Sequence, residues 1–388
     1  MLGYFSIFLY IIILAAIVHH IIPPNWVRLR QISALFFSGV VIVTISPATA
    51  VAGWLVFFVV YLYFLLRKWV RIDGLASNLS VLTIIGICSS IKYGWGIESQ
   101  IETIGISYLM LKALTTVWQI RRQDYTPSHL DFFDVALLFF FLPIFSAGPI
   151  EQPKAFMVKN FSKELSLQDV FTGITRILIG VFKAHFLAAI ILVELMGHVG
   201  SLADATGFTL LILIMIKFLG LYLGFSGYAD IAVGAGRLFG LKISENFNFP
   251  LASSNIREFW RRWHMTLGRF IREFIFLPLM RRYSKLVGAF KGAAEFCIFT
   301  SFVIVGLWHN LSWNYLIWGV CHGGALAAYM RYDAYRKKNK AFKKATTGRG
   351  YQVVGAIVTT FYVAVVSVFA NSKDISSGLN LLVRLGGG

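Results

Sequence analysis

Long apolar runs separated by short polar segments repeat along the whole chain. The runs recur from residue 4 to residue 370, and no polar block between them is large enough to fold separately. A bilayer-spanning helix needs about 20 mainly apolar residues, so the pattern predicts an all-α polytopic membrane protein with about eleven or twelve membrane helices. We expect one membrane domain over residues 1–388. The candidate segments are 4–22, 32–47, 50–66, 78–91, 104–120, 131–147, 168–196, 207–225, 264–280, 294–308, 312–331 and 351–370.

Several of these runs are shorter than a full crossing requires, which predicts tilted or re-entrant helices. Pro143 and Pro149 bracket a break in helical pattern at residues 145–148. Non-helical backbone at membrane depth needs protein or a water-filled cavity around it. The segment from Pro143 to Pro153 is therefore either a cavity wall or a loop at the membrane surface. The N-terminal run, 4–22, is too long for a signal-peptide core, so we expect a retained first span.

Composition and charge agree with a lipid-embedded chain. Apolar residues make up 57% and charged residues only 14%, whereas about a quarter of a soluble domain is charged. The net charge of +18 lies in short segments between apolar runs, so we expect cytoplasmic loops that touch anionic lipid and no nucleic-acid binding. Cys88, Cys297 and Cys321 are too widely spaced for a disulfide framework or a cysteine metal site.

Polar residues concentrate between residues 224 and 322, where they mix with aromatic residues. Such residues are costly at membrane depth and usually face a cavity. The segment Glu258–His264 is expected to be an amphipathic helix with Trp260 and His264 on one face. Its arginines are typical either of an anion or phosphate site or of an interfacial anchor on headgroups.

Two histidines, His309 and His322, follow the last polar cluster in this region. A neutral imidazole both accepts and donates a proton near neutral pH, which suits a general base acting on a hydroxyl. The alternative is a structural histidine that bonds a backbone carbonyl or a neighbouring helix. Together with His264 they lack the close spacing of histidine zinc motifs, so we expect no metal site.

Ser226 lies in Gly224-Phe-Ser-Gly-Tyr228, where tyrosine replaces the last glycine of a nucleophile elbow, and we exclude a serine hydrolase. Asp230 follows what looks like a turn. We expect it to orient a histidine, to pair with an arginine such as Arg237, or to stabilise a helix start.

Five motifs follow one another in this part of the chain. They are Phe225-Ser-Gly-Tyr-Ala-Asp-Ile-Ala232, Glu245-Asn-Phe-Asn-Phe-Pro250, Glu258-Phe-Trp-Arg-Arg-Trp-His264, Gly306-Leu-Trp-His309 and Trp318-Gly-Val-Cys-His-Gly323. In this order they resemble the membrane-bound O-acyltransferases, in the bacterial branch with alginate O-acetylase and the D-alanyl transfer protein of teichoic acid synthesis. The resemblance covers nearly the whole chain, with a motif-bearing core at about 224–323.

This resemblance implies helices ringed around a thinned central cavity in the bacterial cytoplasmic membrane. It implies that His309 is the catalytic base and that His264 orients the donor or stabilises developing charge. The expected donor is an acyl thioester, on the phosphopantetheine of an acyl carrier protein or on coenzyme A, with no bound cofactor. The acceptor is a hydroxyl of an extracytoplasmic glycopolymer, and an extracytoplasmic acyltransferase- or esterase-like protein is an expected partner. Residues predicted to bind donor or substrate are Arg257, Arg261, Arg262, Asn246, Trp308 and His322.

Features of the two branches are mixed in this chain. Ile104-Gly-Ile-Ser-Tyr-Leu109 and Phe145-Ser-Ala-Gly-Pro-Ile-Glu151 resemble the D-alanyl transfer protein, whereas Glu245–Pro250 and the double arginine at Arg261-Arg262 resemble alginate-type acetylases. The acyl group, acetyl or D-alanyl, therefore stays open. Asn310 stands where these enzymes often have glycine after the histidine. A membrane transporter and a scaffold of a surface-polymer export complex are the alternative functions.

Overall fold

The computed structural model describes residues 2–45, 47–69, 74–94, 100–122, 131–145, 147–156, 161–287 and 292–386. Within these ranges the chain is helical and has no β-strand, which confirms the predicted fold class. The chain forms two compact units. Unit 1 comprises Met1–Val181 and Gly227–Glu245, and unit 2 comprises Phe182–Ser226 and Asn246–Gly388. The single domain expected from the sequence stays a prediction.

Seventeen α-helices are named here in chain order, joined in two places by π-helical turns. The first nine are α1 Leu2–Ile21, α2 Val27–Ile45, α3 Pro47–Trp69, α4 Leu75–Gly94, α5 Gln100–Arg121, α6 Phe132–Phe140, α7 Leu167–Val181, α8 Leu192–Val199 and α9 Gly207–Leu238. The others are α10 Ile256–Arg262, α11 Met265–Phe270, α12 Leu277–Val287, α13 Ala293–His309, α14 Trp313–Lys338, α15 Lys340–Ala345, α16 Arg349–Asn371 and α17 Ile375–Leu385. The π-helical turns are Phe182–Ile191, between α7 and α8, and Ile271–Phe276, between α11 and α12.

Among the described residues, five helical stretches are long and apolar enough to cross a membrane, and three shorter apolar helices accompany them. The five are Val27–Thr44, Pro47–Arg67, Leu167–Val199, Gly207–Leu238 and Arg349–Asn371. Large apolar side chains on these helices face outward, among them Phe58 and Ile357, which lipid can cover and water cannot. The chain is therefore an integral membrane protein. The predicted count of eleven or twelve spans and the thinned central cavity stay predictions.

The break after α6 is buried inside unit 1. Pro143, Ile150 and Glu151 are all buried, and the Lys112 ammonium donates to the Ile144 carbonyl oxygen at 2.6 Å. The Glu151 carboxylate accepts a hydrogen bond from the Ser244 amide. The segment is thus buried in protein, so the surface-loop alternative is wrong. Ser146, within the predicted break, lies outside the described residues.

Helices α7 and α9 approach each other closely in unit 1 because glycines meet at their contact. A Cβ on Gly180 would collide with the Gly227 carbonyl oxygen, and one on Gly234 would lie 2.6 Å from the Gly173 carbonyl oxygen. Small residues allow helix backbones to approach in this way. The helix α9 continues without a turn through Ser226, so the turn expected before Asp230 is wrong.

Asp230 lies inside α9 rather than at a helix start. Its carboxylate pairs with Arg176 at 2.6 Å, and the same guanidinium holds Glu245 at 2.7 Å. Arg237, the partner considered from the sequence, instead pairs with Asp169 at 3.3 Å. These ion pairs fasten α7 to α9 and to the segment that follows α9.

Unit 2 is built on the antiparallel pair α13 and α14. A Cβ on Gly306 would collide with the Tyr315 carbonyl oxygen, and one on Gly319 would lie 2.6 Å from the Phe302 carbonyl oxygen. A third close approach occurs at Gly323, next to Phe299. Three glycine contacts thus bring the two helix backbones close together. They set the position of the end of α13, where His309 lies.

Candidate active site

The turn between α10 and α11 carries His264. Trp263 ends α10 and is buried among the rings of Phe218, Phe247 and Phe259, at 5.8, 5.2 and 5.4 Å between centroids. His264 then adopts the left-handed region, with φ 45° and ψ 55°. Histidine tolerates this region better than most residues, at a cost of about 1–3 kcal/mol. The turn thus separates His264 from the helix before it.

This turn corrects one local prediction. The helix α10 ends at Arg262, so the expected helical stacking of Trp260 and His264 is wrong. Trp260 instead packs against Phe302, Trp318 and His322. The helix is capped by the buried Trp263, one residue before His264.

Asn246 holds the turn from the other side. Its side chain is fully buried, and its Oδ1 contacts His264 Nδ1 at 3.1 Å, the Thr266 amide nitrogen at 3.2 Å and Thr266 Oγ1 at 2.9 Å. The main chain is paired as well, because the Met265 amide donates to the Asn246 carbonyl and the Asn248 amide to the Arg262 carbonyl. The segment after residue 245 and the α10–α11 turn therefore form one rigid element.

His309 lies at the end of α13 and is half-buried. Its ring contacts Trp308, Tyr315 and Trp318, with centroids 4.5, 5.8 and 5.6 Å away. His264, which is 5% exposed, is close enough to His309 for the two imidazoles to interact electrostatically. The two histidines that the sequence motifs single out therefore lie in one unit, within electrostatic range of each other.

His322 is the most enclosed of the three histidines, with 1% of its surface exposed. Aromatic rings surround it: Trp318 at 4.6 Å, Trp260 at 5.0 Å and Tyr362 at 5.9 Å, each near a perpendicular arrangement. Trp318 lies between His322 and His309 and contacts both. Trp318 and His322 are four residues apart on α14 and so lie on one helix face. The surroundings give His322 a packing role, while its predicted role in substrate binding stays a prediction.

The three arginines of α10 have different surroundings. Arg262 pairs with Glu258 at 2.6 Å on the same helix, and Arg257 pairs with Asp333 of α14 at 3.2 Å. Arg261 is 75% exposed, and its nearest carboxylate, that of Glu258, is 3.7 Å away. Arg261 is thus the α10 arginine best placed to meet an external anion.

Asp333 is the hub of the basic region at the end of α14. Lys337 contacts its carboxylate at 2.8 Å and Arg336 at 3.8 Å, in addition to Arg257. The hydrogen bond from Lys337, followed by the charges of Lys337, Arg257 and Arg336, holds the pKa of the Asp333 carboxyl below its ordinary value. Sequence reasoning missed this residue, although Arg336 and Lys337 follow it at helical spacing; its contact with Arg257 depends on how α10 meets α14.

We find no candidate metal site in the part of the chain that the structure describes. No group of three or more histidine, cysteine, aspartate or glutamate side chains there is arranged to hold an ion. Unit 2 instead offers the imidazoles of His264 and His309, with the Asn246 amide beside His264 and aromatic rings around both histidines. This arrangement suits proton transfer at a hydroxyl.

Fold and site together define the class: a polytopic helical membrane protein with two neighbouring histidines held by aromatic packing. The model of the membrane-bound O-acyltransferase family matches residues 52–369, and the chain belongs to that family.

Three curated relatives show the range within this family. The chain is 31% identical to the peptidoglycan O-acetyltransferase of Helicobacter pylori, over 65% of this chain and 46% of the relative. It is 30% identical to a probable alginate O-acetylase of Azotobacter vinelandii, over 64% and 50%. It is 28% identical to the teichoic acid D-alanyltransferase of Bacillus subtilis, over 68% and 67%. The chain thus spans about half the length of the first two relatives. The predicted family is confirmed, and both predicted branches are represented.

Proposed function

We propose that this protein is a membrane O-acyltransferase that moves a short acyl group, acetyl or D-alanyl, from a cytoplasmic thioester to a hydroxyl of an extracytoplasmic cell-envelope glycopolymer. The observation that carries the proposal is that His264 and His309 lie within electrostatic range of each other in unit 2 of a chain that belongs to this family. The names of the three relatives, two O-acetylating enzymes and one D-alanyltransferase, support the two acyl groups named.

In the proposed reaction His309 takes the proton of the acceptor hydroxyl as its oxygen attacks the thioester carbonyl. The new ester C–O bond forms, the C–S bond breaks, and the departing thiolate takes up a proton to leave as the thiol. Such general-base assistance contributes about 10²–10⁴-fold to a rate. His309 suits this role better than His264 because it is half-buried and therefore reachable by a reactant. No metal or redox cofactor takes part in the proposed step.

The donor is proposed to arrive at the basic side of α10. An acyl carrier protein is acidic, and phosphopantetheine and coenzyme A carry phosphate, so either donor would be attracted by an exposed guanidinium. Arg261 offers that group, whereas Arg257 and Arg262 are engaged by carboxylates. An extracytoplasmic protein that passes the acyl group on to the polymer is part of the same proposal.

The test replaces His309 with Ala in the native host and measures base-released acetate and D-alanine from the cell envelope. His198→Ala is the matched control, because the His198 side chain is 75% exposed in α8 and bonded only to Glu194 in the same helix. We expect acylation to fall about 10²–10⁴-fold in the first variant and to stay unchanged in the control. Undiminished acylation in His309→Ala, at normal protein level, would contradict the proposal. Whichever of the two acids disappears identifies the acyl group.

A further inference from the structure

The contacts of the Asn246 side chain show which ring nitrogen of His264 carries the hydrogen. The Thr266 backbone N–H can only donate, so the side-chain atom of Asn246 that it meets at 3.2 Å is the carbonyl oxygen Oδ1. The same oxygen is 3.1 Å from His264 Nδ1. Because Oδ1 can only accept a hydrogen bond, its partner Nδ1 of His264 must be the donor. Nδ1 of His264 therefore carries the hydrogen.

A neutral imidazole has one N–H, and the other nitrogen then carries a lone pair. We infer that Asn246 is a positioning residue that holds His264 as the Nδ1–H tautomer, so that Nε2 is a hydrogen-bond acceptor. This inference rests on the proposed function for its catalytic meaning, but the tautomer itself follows from the contacts alone. It gives Asn246 a task other than the donor binding expected from the sequence.

The tautomer changes what His264 can do in the reaction. With Nδ1–H committed to Asn246, neutral His264 has no N–H left to stabilise an oxyanion. Its Nε2 can accept a hydrogen bond from an N–H or O–H donor, and His309 lies within electrostatic range of the ring. In the proposed reaction His264 would thus act as a hydrogen-bond acceptor and not as an oxyanion donor.

Three features make the arrangement rigid enough to select one tautomer. The side chain of Asn246 is fully buried, its main chain is paired with the α10–α11 turn, and the edge of Phe225 meets the His264 ring at 4.9 Å. A ring held on two sides cannot exchange its nitrogens by flipping without breaking the bond to Oδ1. The left-handed backbone at residue 264 directs the side chain to this partner.

The experiment reads the tautomer directly, by ¹⁵N NMR of histidine-labelled protein in phospholipid bilayers, with the His264 signals assigned by their loss in His264→Gln. Asn246→Leu removes the acceptor oxygen. Asn246→Asp keeps an acceptor oxygen on a side chain of the same shape. Asn314→Leu is the matched control, because Asn314 is also buried in unit 2 but donates to the Ser372 carbonyl instead.

Wild-type protein and Asn314→Leu are expected to show a protonated Nδ1 and an unprotonated Nε2 at His264. Asn246→Leu is expected to show a mixture of tautomers and a 10–100-fold loss of acyl transfer per folded molecule, the usual range for an orienting partner. Asn246→Asp should restore the Nδ1–H signal and part of the activity. A protonated Nε2 in neutral wild-type His264, or an unchanged tautomer in Asn246→Leu, would overturn the inference. Failure of the proposed function would instead show as full acylation by His309→Ala while the NMR result stands.

Discussion

Each unit contains a pair of neighbouring histidines, and the two pairs are built differently. In unit 1, His19 and His20 are adjacent on α1, with ring centroids 4.9 Å apart. His20 Nε2 bonds the Leu238 carbonyl oxygen at 2.6 Å, and His19 is fully buried. In unit 2, His264 in the α10–α11 turn and His309 at the end of α13 are far apart along the chain and lie within electrostatic range of each other. Both pairs place imidazoles in apolar surroundings.

The two pairs differ in which histidine is bonded and to which group. In unit 1 the His20 ring bonds a backbone carbonyl, and the rings of Phe161 and Phe239 pack on His19 at 5.8 and 5.2 Å. In unit 2 an amide side chain fixes one histidine while the other stays half-buried. A base must reach its substrate. His20 and His309 are both half-buried, but His20 Nε2 is bonded to a backbone carbonyl, whereas in unit 2 the amide bond is made by the other histidine of the pair, His264.

The sharpest contrast is expected between His309→Ala and His20→Ala. The first should lower acyl transfer by about 10²–10⁴-fold with little change in stability. The second should leave transfer per folded molecule unchanged and lower stability by about 1–3 kcal/mol, because the Leu238 carbonyl loses its donor. Both are measured on purified protein in lipid, by acyl transfer and by thermal unfolding. Loss of transfer in well-folded His20→Ala would erase the distinction between the pairs.

A smaller effect tests how far the unit 2 pair depends on the α13–α14 contact. Gly306→Ala places a methyl group against the Tyr315 carbonyl oxygen, three residues before His309, and the backbones must separate. We expect about 1–3 kcal/mol of destabilisation and reduced acyl transfer.

Gly324→Ala is the matched control for this change. It lies on α14, where an added Cβ meets nothing within 4 Å, so alanine should be neutral or stabilising by up to about 1 kcal/mol. Thermal unfolding and acyl transfer are compared for the two variants. Equal effects at the two glycines would show that the close approach of the helices does not position His309.

Local patterns in the sequence predicted much of the fold. The apolar runs predicted helices at 50–66 and 351–370, and the structure has Pro47–Trp69 and Arg349–Asn371 there. The prediction stopped at residue 225 where α9 continues to Leu238, because Gly224, Ser226 and Gly227 look like a turn when read alone. In the structure Gly227 meets Gly180 of α7, and this close packing makes glycine favourable within a helix.

The candidate site was predictable as a set of residues but not as a geometry. The motif order singled out His264, His309 and Asn246, and the structure places them in one unit. The hydrogen bond from His264 to Asn246 joins two motifs through a left-handed turn, which no helical spacing predicts. Likewise, the pairing of Asp230 with Arg176 depends on how α7 meets α9. Long-range pairs of this kind follow from packing, which a single sequence does not display.

The smallest predicted effect concerns the basic region of unit 2, where no histidine takes part. The depressed pKa of Asp333 means that the folded state favours its charged form, so its contribution to stability is present above the ordinary carboxyl pKa of about 4 and is lost as the pH falls below it. Asp333→Asn should therefore be less stable than wild type by about 0.5–1 kcal/mol at pH 7, with the difference shrinking towards pH 3, because its basic partners are partly exposed. Glu295→Gln is the control, since Glu295 has only a 3.7 Å contact with the exposed Arg331 and should change little at either pH. Thermal unfolding in lipid or detergent at both pH values measures the two differences. A pH-independent deficit in Asp333→Asn would mean that shape, and not charge, makes this residue the hub for Arg257 and Lys337.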